Sequence, residues 1–189
     1  MVDPSPGPTQ MPFTPTDAHE QARVRAKETV DAFRRNLRTV VLGTCSAEGE
    51  PDASVSPAWL DVDGSVLVYV SSLALHTRNL LQTRRASVLL VEDEADATQV
   101  LARRRLTLAC RAEPVPRDTP ASVAAMAGFR VKFGRIMEEL ETLPDFQLVR
   151  LFAERGRLVV GFGQAYAIDP RDWSPLSRVG GGPGGARPA

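Results

Sequence analysis

The short connections between residues 39 and 70 constrain this chain's fold more than any other feature. Three β-rich runs follow one another there, at 39–45 (TVVLGTC), 51–60 (PDASVSPAWL) and 65–70. Ala47-Glu48-Gly49-Glu50 separates the first two, and Asp63-Gly64, a strong hairpin signal, separates the next two. A parallel pair would need a crossover of roughly a dozen residues or more, so these neighbours are antiparallel. A nearly continuous apolar run at 86–92 and an alternating run at 105–113 (RLTLACRAE) add two strands. Residues 146–152 (FQLVRLF) alternate as another, Arg155-Gly156 reads as a turn, and 157–168 reads as the last strand. The count is six or seven strands in a mainly β fold with flanking helices. That pattern points to an antiparallel β-barrel rather than a doubly wound parallel sheet.

Helical signals lie outside these runs. Asp17 and Glu20 have the spacing of a capping box, and Val30, Phe33 and Leu37 then form one apolar face. A short helix is expected over 76–82. Thr119 and Pro120 suit an N-cap and a first helical position, with Val123, Met126, Phe129 and Phe133 as the apolar face. Helical character resumes over 136–143 and stops at Pro144.

A chain of 189 residues suits one domain that buries roughly two-thirds of its unfolded surface without disulfides or a structural metal. Residues 1–15 and 174–189 are rich in Pro, Gly and Ser and read as a disordered arm and tail around a domain at 16–173. Lys plus Arg and Asp plus Glu both number 23, so no net positive charge suggests a nucleic-acid partner. No apolar run approaches the ~20 residues of a membrane span. The N-terminus lacks a basic and an apolar region, so the expectation is a cytoplasmic protein without a membrane partner. Cys45 and Cys110 both fall in apolar runs and read as buried reduced thiols.

The segment 68–92 (VYVSSLALHTRNLLQTRRASVLLVE) carries the clearest chemistry. It is a strand, a hydroxyl-rich loop, a helix start, a basic turn and a second strand. Ser71, Ser72 and Thr77 can donate to phosphate oxygens, the first helical amides favour an anion, and His76 and Arg78 supply positive charge. A capped surface turn with solvated charges would look the same. Other signals are weaker. Glu92-Asp93-Glu94 with Asp96 lacks EF-hand spacing. Gly161-x-Gly163 and the GGGPGG tail are no nucleotide loops. Two histidines assemble no Ser/His/Asp triad.

In order, Ser71, Ser72, His76, Thr77, Arg78, Asn79, Leu80 and the RASVLL run at 85–90 resemble the FMN-phosphate segment of the pyridoxamine 5′-phosphate oxidase-like family. The likeness continues upstream through Gly49-Glu50-Pro51 and Ser54-Val55-Ser56-Pro57, and downstream through Arg105-Leu106-Thr107-Leu108. It implies an antiparallel split β-barrel of the FMN-binding type. FMN would lie with its ring near Ser54, Val55 and Ser56, and its phosphate side at Ser71, Ser72, His76, Thr77, Arg78 and Asn79. Arg105 would reach across the site. A phosphate on His76 would be held less well as pH rises, since imidazolium is the better anion partner. The motifs of pyridoxamine phosphate oxidation itself are absent.

Gly161-Phe162-Gly163-Gln164-Ala165-Tyr166 is similar to the family's heme-utilisation branch. That branch holds the heme iron with a C-terminal histidine, whereas this chain has only His19 and His76. The resemblance therefore implies an FMN-dependent oxidoreductase. Its alternatives are a heme-binding or heme-degrading protein and a non-catalytic flavin-binding domain. It also implies a homodimer and a small-molecule substrate or electron donor.

Overall fold

A computed structural model describes residues 15–179, with side chains from Glu20 onward. Residues 1–14 of the proposed arm at 1–15 and the last ten residues of the proposed tail lie outside the described residues, and Pro15 opens a helix. Helix α1 (Pro15–Asn36) leads into β1 (Thr39–Cys45), β2 (Pro51–Leu60) and β3 (Val66–Ser71). Helix α2 (Leu75–Thr83), β4 (Arg85–Val91) and β5 (Arg105–Val115) follow. Next come α3 (Pro120–Phe133), α4 (Ile136–Glu141), β6 (Phe146–Gly161), β7 (Gln164–Ile168) and β8 (Pro175–Arg178).

Every strand pair is antiparallel, and the sheet order is β3-β2-β1-β4-β5-β6-β7-β8. A further pairing of β3 with β6 closes the first six strands into a barrel. One long strand makes that closure possible. The first part of β6 pairs with β3, from Phe146 opposite Ser71 to Leu151 opposite Val66. Its last part, from Gly156 onward, leaves the barrel and pairs with β7. Strand β5 accompanies β6 through both parts.

Inward positions alternate as a half-buried strand requires. Val40, Leu42, Val66, Val68, Val88, Leu106, Leu108, Val149 and Leu151 fill the barrel. Strand β3 is buried on its other face as well. Leu67 and Tyr69 pack there against Met126 and Phe129 of α3 and Met137 of α4. Burial on both faces is why its sequence is apolar without alternation. Thr119 caps α3 as expected, with Ser122 returning the bond in a capping box. Met126 and Phe129 are buried, but Val123 is largely exposed.

Three expectations need correction. Arg155-Gly156 is not a turn. Strand β6 runs straight through it, and the register against β5 slips by one residue between Ala109 and Cys110, so that Glu154 is the extra residue of a bulge. Gly156 is needed for close packing, because a Cβ there would meet Leu108 and Ile168 at 2.9 Å. The real turn follows at Phe162-Gly163. Cys45 is exposed rather than buried, because it ends β1 on the outward side of the alternation Val40, Leu42, Thr44. Cys110 is buried, and burial pushes its thiol up to about 12. Lastly, part of the proposed tail is ordered as β8 on β7.

The segment before β8 is fastened to the body of the fold. Trp173 is fully buried with φ at +63°, and the Arg34 guanidinium lies over its ring at 5.5 Å. The β2–β3 hairpin touches the same segment: a Cβ on Gly64, at φ +82°, would collide with the Arg171 carbonyl oxygen. Gly49 also has positive φ, at +94°, but faces open space.

These two glycines separate two costs. Gly49→Ala carries only the left-handed backbone penalty, about 1–2 kcal/mol. Gly64→Ala adds overpacking of about 1–3 kcal/mol. Urea unfolding midpoints should therefore fall further for Gly64→Ala. Equal shifts would mean that the hairpin does not bear on the 169–174 segment.

Candidate functional site

Helix α2 packs across one end of the barrel, and the chain enters it through Ser71–Ala74 in a way that leaves its first turn uncapped. Ser71 Oγ donates to Asp145 Oδ2, and the Ser72 amide donates to the Asp145 carbonyl at 2.8 Å. The N-cap residue is Ala74, extended at φ −75°, ψ 141°, with no side-chain cap. The positive end of α2 is thus without the carboxylate or hydroxyl that usually neutralises a helix start. Arg78, in the first turn, and Arg84 and Arg85, beyond the opposite end of α2, are exposed, and none has a carboxylate partner among the described residues.

On its inner side α2 is clamped to β1 and β2 by polar contacts. Asn79 Nδ2 donates to Thr44 Oγ1 at 3.1 Å, and Thr44 Oγ1 donates to Asp52 Oδ2 at 3.3 Å. Ser54 Oγ lies 3.0 Å from His76 Nδ1. Leu80, three residues beyond Thr77, is fully buried in the core. Thr77 Oγ1 and Asn79 Oδ1 are buried without a hydrogen-bond partner in the protein. Unpaired buried polar atoms cost about 1–3 kcal/mol each, so this end of the barrel carries polar capacity that the fold alone does not use.

The structure thus brings Ser54, His76, Thr77 and Asn79 together. It adds Thr44 and Asp52, which the sequence reading missed. Their signal was the hairpin register, which sets Thr44 opposite Asp52 on the inward row. Ser71 turns its hydroxyl to Asp145 before the start of α2, Ser72 is tied there by its backbone amide with its side chain exposed, and Arg78 is exposed to solvent. Ser56 is buried in the barrel with its hydroxyl on the Pro57 carbonyl, while Val55 projects outward at 64% exposure. Arg105 stands apart. It opens β5 on the outward face with Nη1 on the Arg103 carbonyl at 3.1 Å, three strand spacings from β2, or ~14 Å. Within the chain it does not meet Ser54.

Burial lowers the pKa of His76, and Asp52 opposes that shift only in part. The imidazole is accordingly neutral near neutral pH. It is a weaker anion partner than the sequence reading supposed, and a better lone-pair donor.

A cavity of about 340 Å³ lies elsewhere, between α1 and the outward side of β1 and β4. Phe33, Val41 and Leu89 wall it, and none of the expected site residues lines it. Its three acids, Glu92, Asp93 and Asp96, outnumber its arginines, Arg38 and Arg104, and Arg104 is already paired with Glu92. An anionic ligand is better matched by the start of α2.

The chain is similar to known proteins over most of its length. The family described as pyridoxamine 5′-phosphate oxidase matches residues 26–160. The heme oxygenase HutZ of Vibrio cholerae is 37% identical over 153 residues, covering 81% of this chain and 86% of that protein. The non-canonical chloroplastic heme oxygenase HOZ of Arabidopsis thaliana is 30% identical over 165 residues, 82% of this chain and 47% of that protein. The crystal structure of HutZ, there described as a heme storage protein, superposes with a TM-score of 0.67 at 36% identity, covering 72% of this chain and 95% of that one. No described helix is long and apolar enough to cross a membrane.

The buried neutral imidazole has a consequence for stability. Its folded pKa lies below the unfolded value of about 6.5, so the unfolded state binds the proton more readily. The contribution is complete above pH ~6.5 and is lost as pH falls from there through the folded value. Thermal melts from pH 7.5 to 5 should show a shallower decline for His76→Gln than for the parent. Parallel curves would contradict the burial of this ring.

Proposed function

The chain belongs to the pyridoxamine 5′-phosphate oxidase family, in its heme-utilisation branch, and on that basis we propose that it binds heme against the α2 end of the barrel. The likeness to heme oxygenase HutZ carries the proposal, because it spans 86% of that protein. The residues present fit such a ligand. A porphyrin is a flat apolar ring with two carboxylates. The start of α2 offers exposed Leu73 and Leu75, an uncapped helix dipole and the carboxylate-free cation Arg78. Leu75 and Arg78 are three residues apart and share one helix face.

Bound heme would supply the iron's redox and oxygen chemistry, tuned by its ligand and surroundings. The chain's own part is to seat the ring, neutralise its carboxylates and limit water. The relatives are named both for cleavage and for storage. Turnover separates these roles, and it requires a small-molecule electron donor.

FMN is the second reading, favoured by the same uncapped helix start with Ser72 and Thr77 beside it. A flavin phosphate and a heme carboxylate are both anions, so the two ligands would compete for one half-site. That half-site would be completed by a second copy of the chain. Val41, Val55, Leu89 and Val91 lie on the outward side of adjacent strands, and Val55 and Val91 are exposed in the protomer. Replacing Val55 with Asp should then shift the protein from dimer to monomer in light scattering. A monomeric parent would overturn the dimer.

Visible spectra during separate titrations with hemin and FMN test the main reading. The expected result is stoichiometric hemin uptake that FMN fails to displace. Saturable FMN binding with only loose hemin uptake would replace heme by flavin. For either ligand, Arg78→Ala should weaken binding about tenfold, the scale of one charge-assisted contact. Arg84→Ala, on the exposed left-handed C-cap of α2, should leave affinity unchanged. Equal losses would remove the anion from this helix start.

A further inference from the structure

We infer that His76 is the residue of this chain that ligates heme iron, through Nε2, with the Ser54 hydroxyl holding the opposite nitrogen. The inference rests on the heme reading above and goes beyond it, because no histidine follows His76 in the 189 residues.

Among the described side chains, the other donors are poorly placed. Iron in proteins takes an imidazole, a thiolate, a thioether or a phenolate. The Cys110 thiol is buried in the barrel core, where burial holds it protonated. Tyr166 is buried in the same core. Tyr69 lies under α3 and α4 with its hydroxyl directed at the Leu140 carbonyl, and burial raises its pKa. Met126 and Met137 are buried beside it. Cys45 is exposed but sits on the outward side of β1, away from the inward row that meets α2.

His76 has what a ligand needs. It is half-buried at the rim of the barrel, so the ring is ordered and still reachable. Nδ1 is 3.0 Å from Ser54 Oγ, and with the proton on Nδ1 that contact leaves the Nε2 lone pair free. Metal-bound histidines are typically oriented this way, with the second nitrogen tied to a hydrogen-bond partner. The backbone beneath is fixed too. Asn79, on the same helix face, is bonded to Thr44, and Leu80 is fully buried one turn on. No hydrogen bond is made by Nε2 among the described residues. Leu75, next in the chain, is exposed apolar surface against which a ring can lie.

The test is a set of variants of the full chain titrated with hemin and read by absorption and electron paramagnetic resonance. The parent should show an imidazole-ligated ferric spectrum. His76→Ala should lose that signature and bind at least tenfold more weakly, and added free imidazole should restore the spectrum. Ser54→Ala should keep the imidazole signature with weaker binding, as expected of a positioning residue. His19→Ala and Cys45→Ser should match the parent. Should His76→Ala fold poorly, His76→Met supplies a second check, because thioether ligation would shift the spectrum instead of abolishing it. An unchanged spectrum in both His76 variants would overturn the assignment and leave heme binding intact. No hemin uptake by the parent would overturn the heme reading and this inference with it.

Discussion

The closure of β3 onto the first part of β6 is the contact on which the rest of the molecule depends. Six strands become a barrel only because β6 is long enough to seal it and then continue outward. Its pairing with β3 buries Val66, Val68 and Val70 on one side and leaves Leu67 and Tyr69 for α3 and α4 on the other. The two apolar clusters are thus the two faces of a single strand. Loosening that strand would open the barrel and strip its covering helices together.

Polar groups gather at the end of the barrel where β3 hands over to α2. The inward rows of β1 and β2 turn polar there, from Val40 and Leu42 to Thr44, and from Ala58 to Ser54 and Asp52. A row of hydroxyls and a carboxylate cannot close a core by itself, so α2 answers with His76 and Asn79. The outer side of the same helix keeps its dipole and Arg78 available to solvent. One short element thereby joins a hydrogen-bonded inner side to a charged, exposed outer one. Precise placement of a ligand usually needs that combination.

Much of this was legible in the chain. Short connections forced antiparallel neighbours, and the strand count gave a barrel. The string from Ser71 to Leu90 covers α2, where His76, Thr77 and Asn79 come together with Ser54. What escaped depends on packing between distant segments. Glu154-Arg155-Gly156 has the composition of a turn, and only the positions of Leu108 and Ile168 show that the glycine makes room for neighbours. Thr44 and Asp52 look like ordinary strand residues until the register sets them under Asn79. Arg105 resembles a site residue in sequence, yet three strand spacings separate it from Ser54 in the folded chain. Strand β8 lies in a stretch that reads as tail, because what orders it is its pairing with β7 and the buried Trp173 just before it.

The unequal surroundings of the two thiols give the molecule a built-in spectroscopic handle. A maleimide dye or spin label at neutral pH has one accessible target, Cys45, because Cys110 is sealed in the core and protonated. Cys45 shares the outward row of β1 with Val41 and Gly43. A probe there reports the mobility and polarity of that sheet face without any engineered residue. Distances between two such probes would measure how copies of the chain face one another.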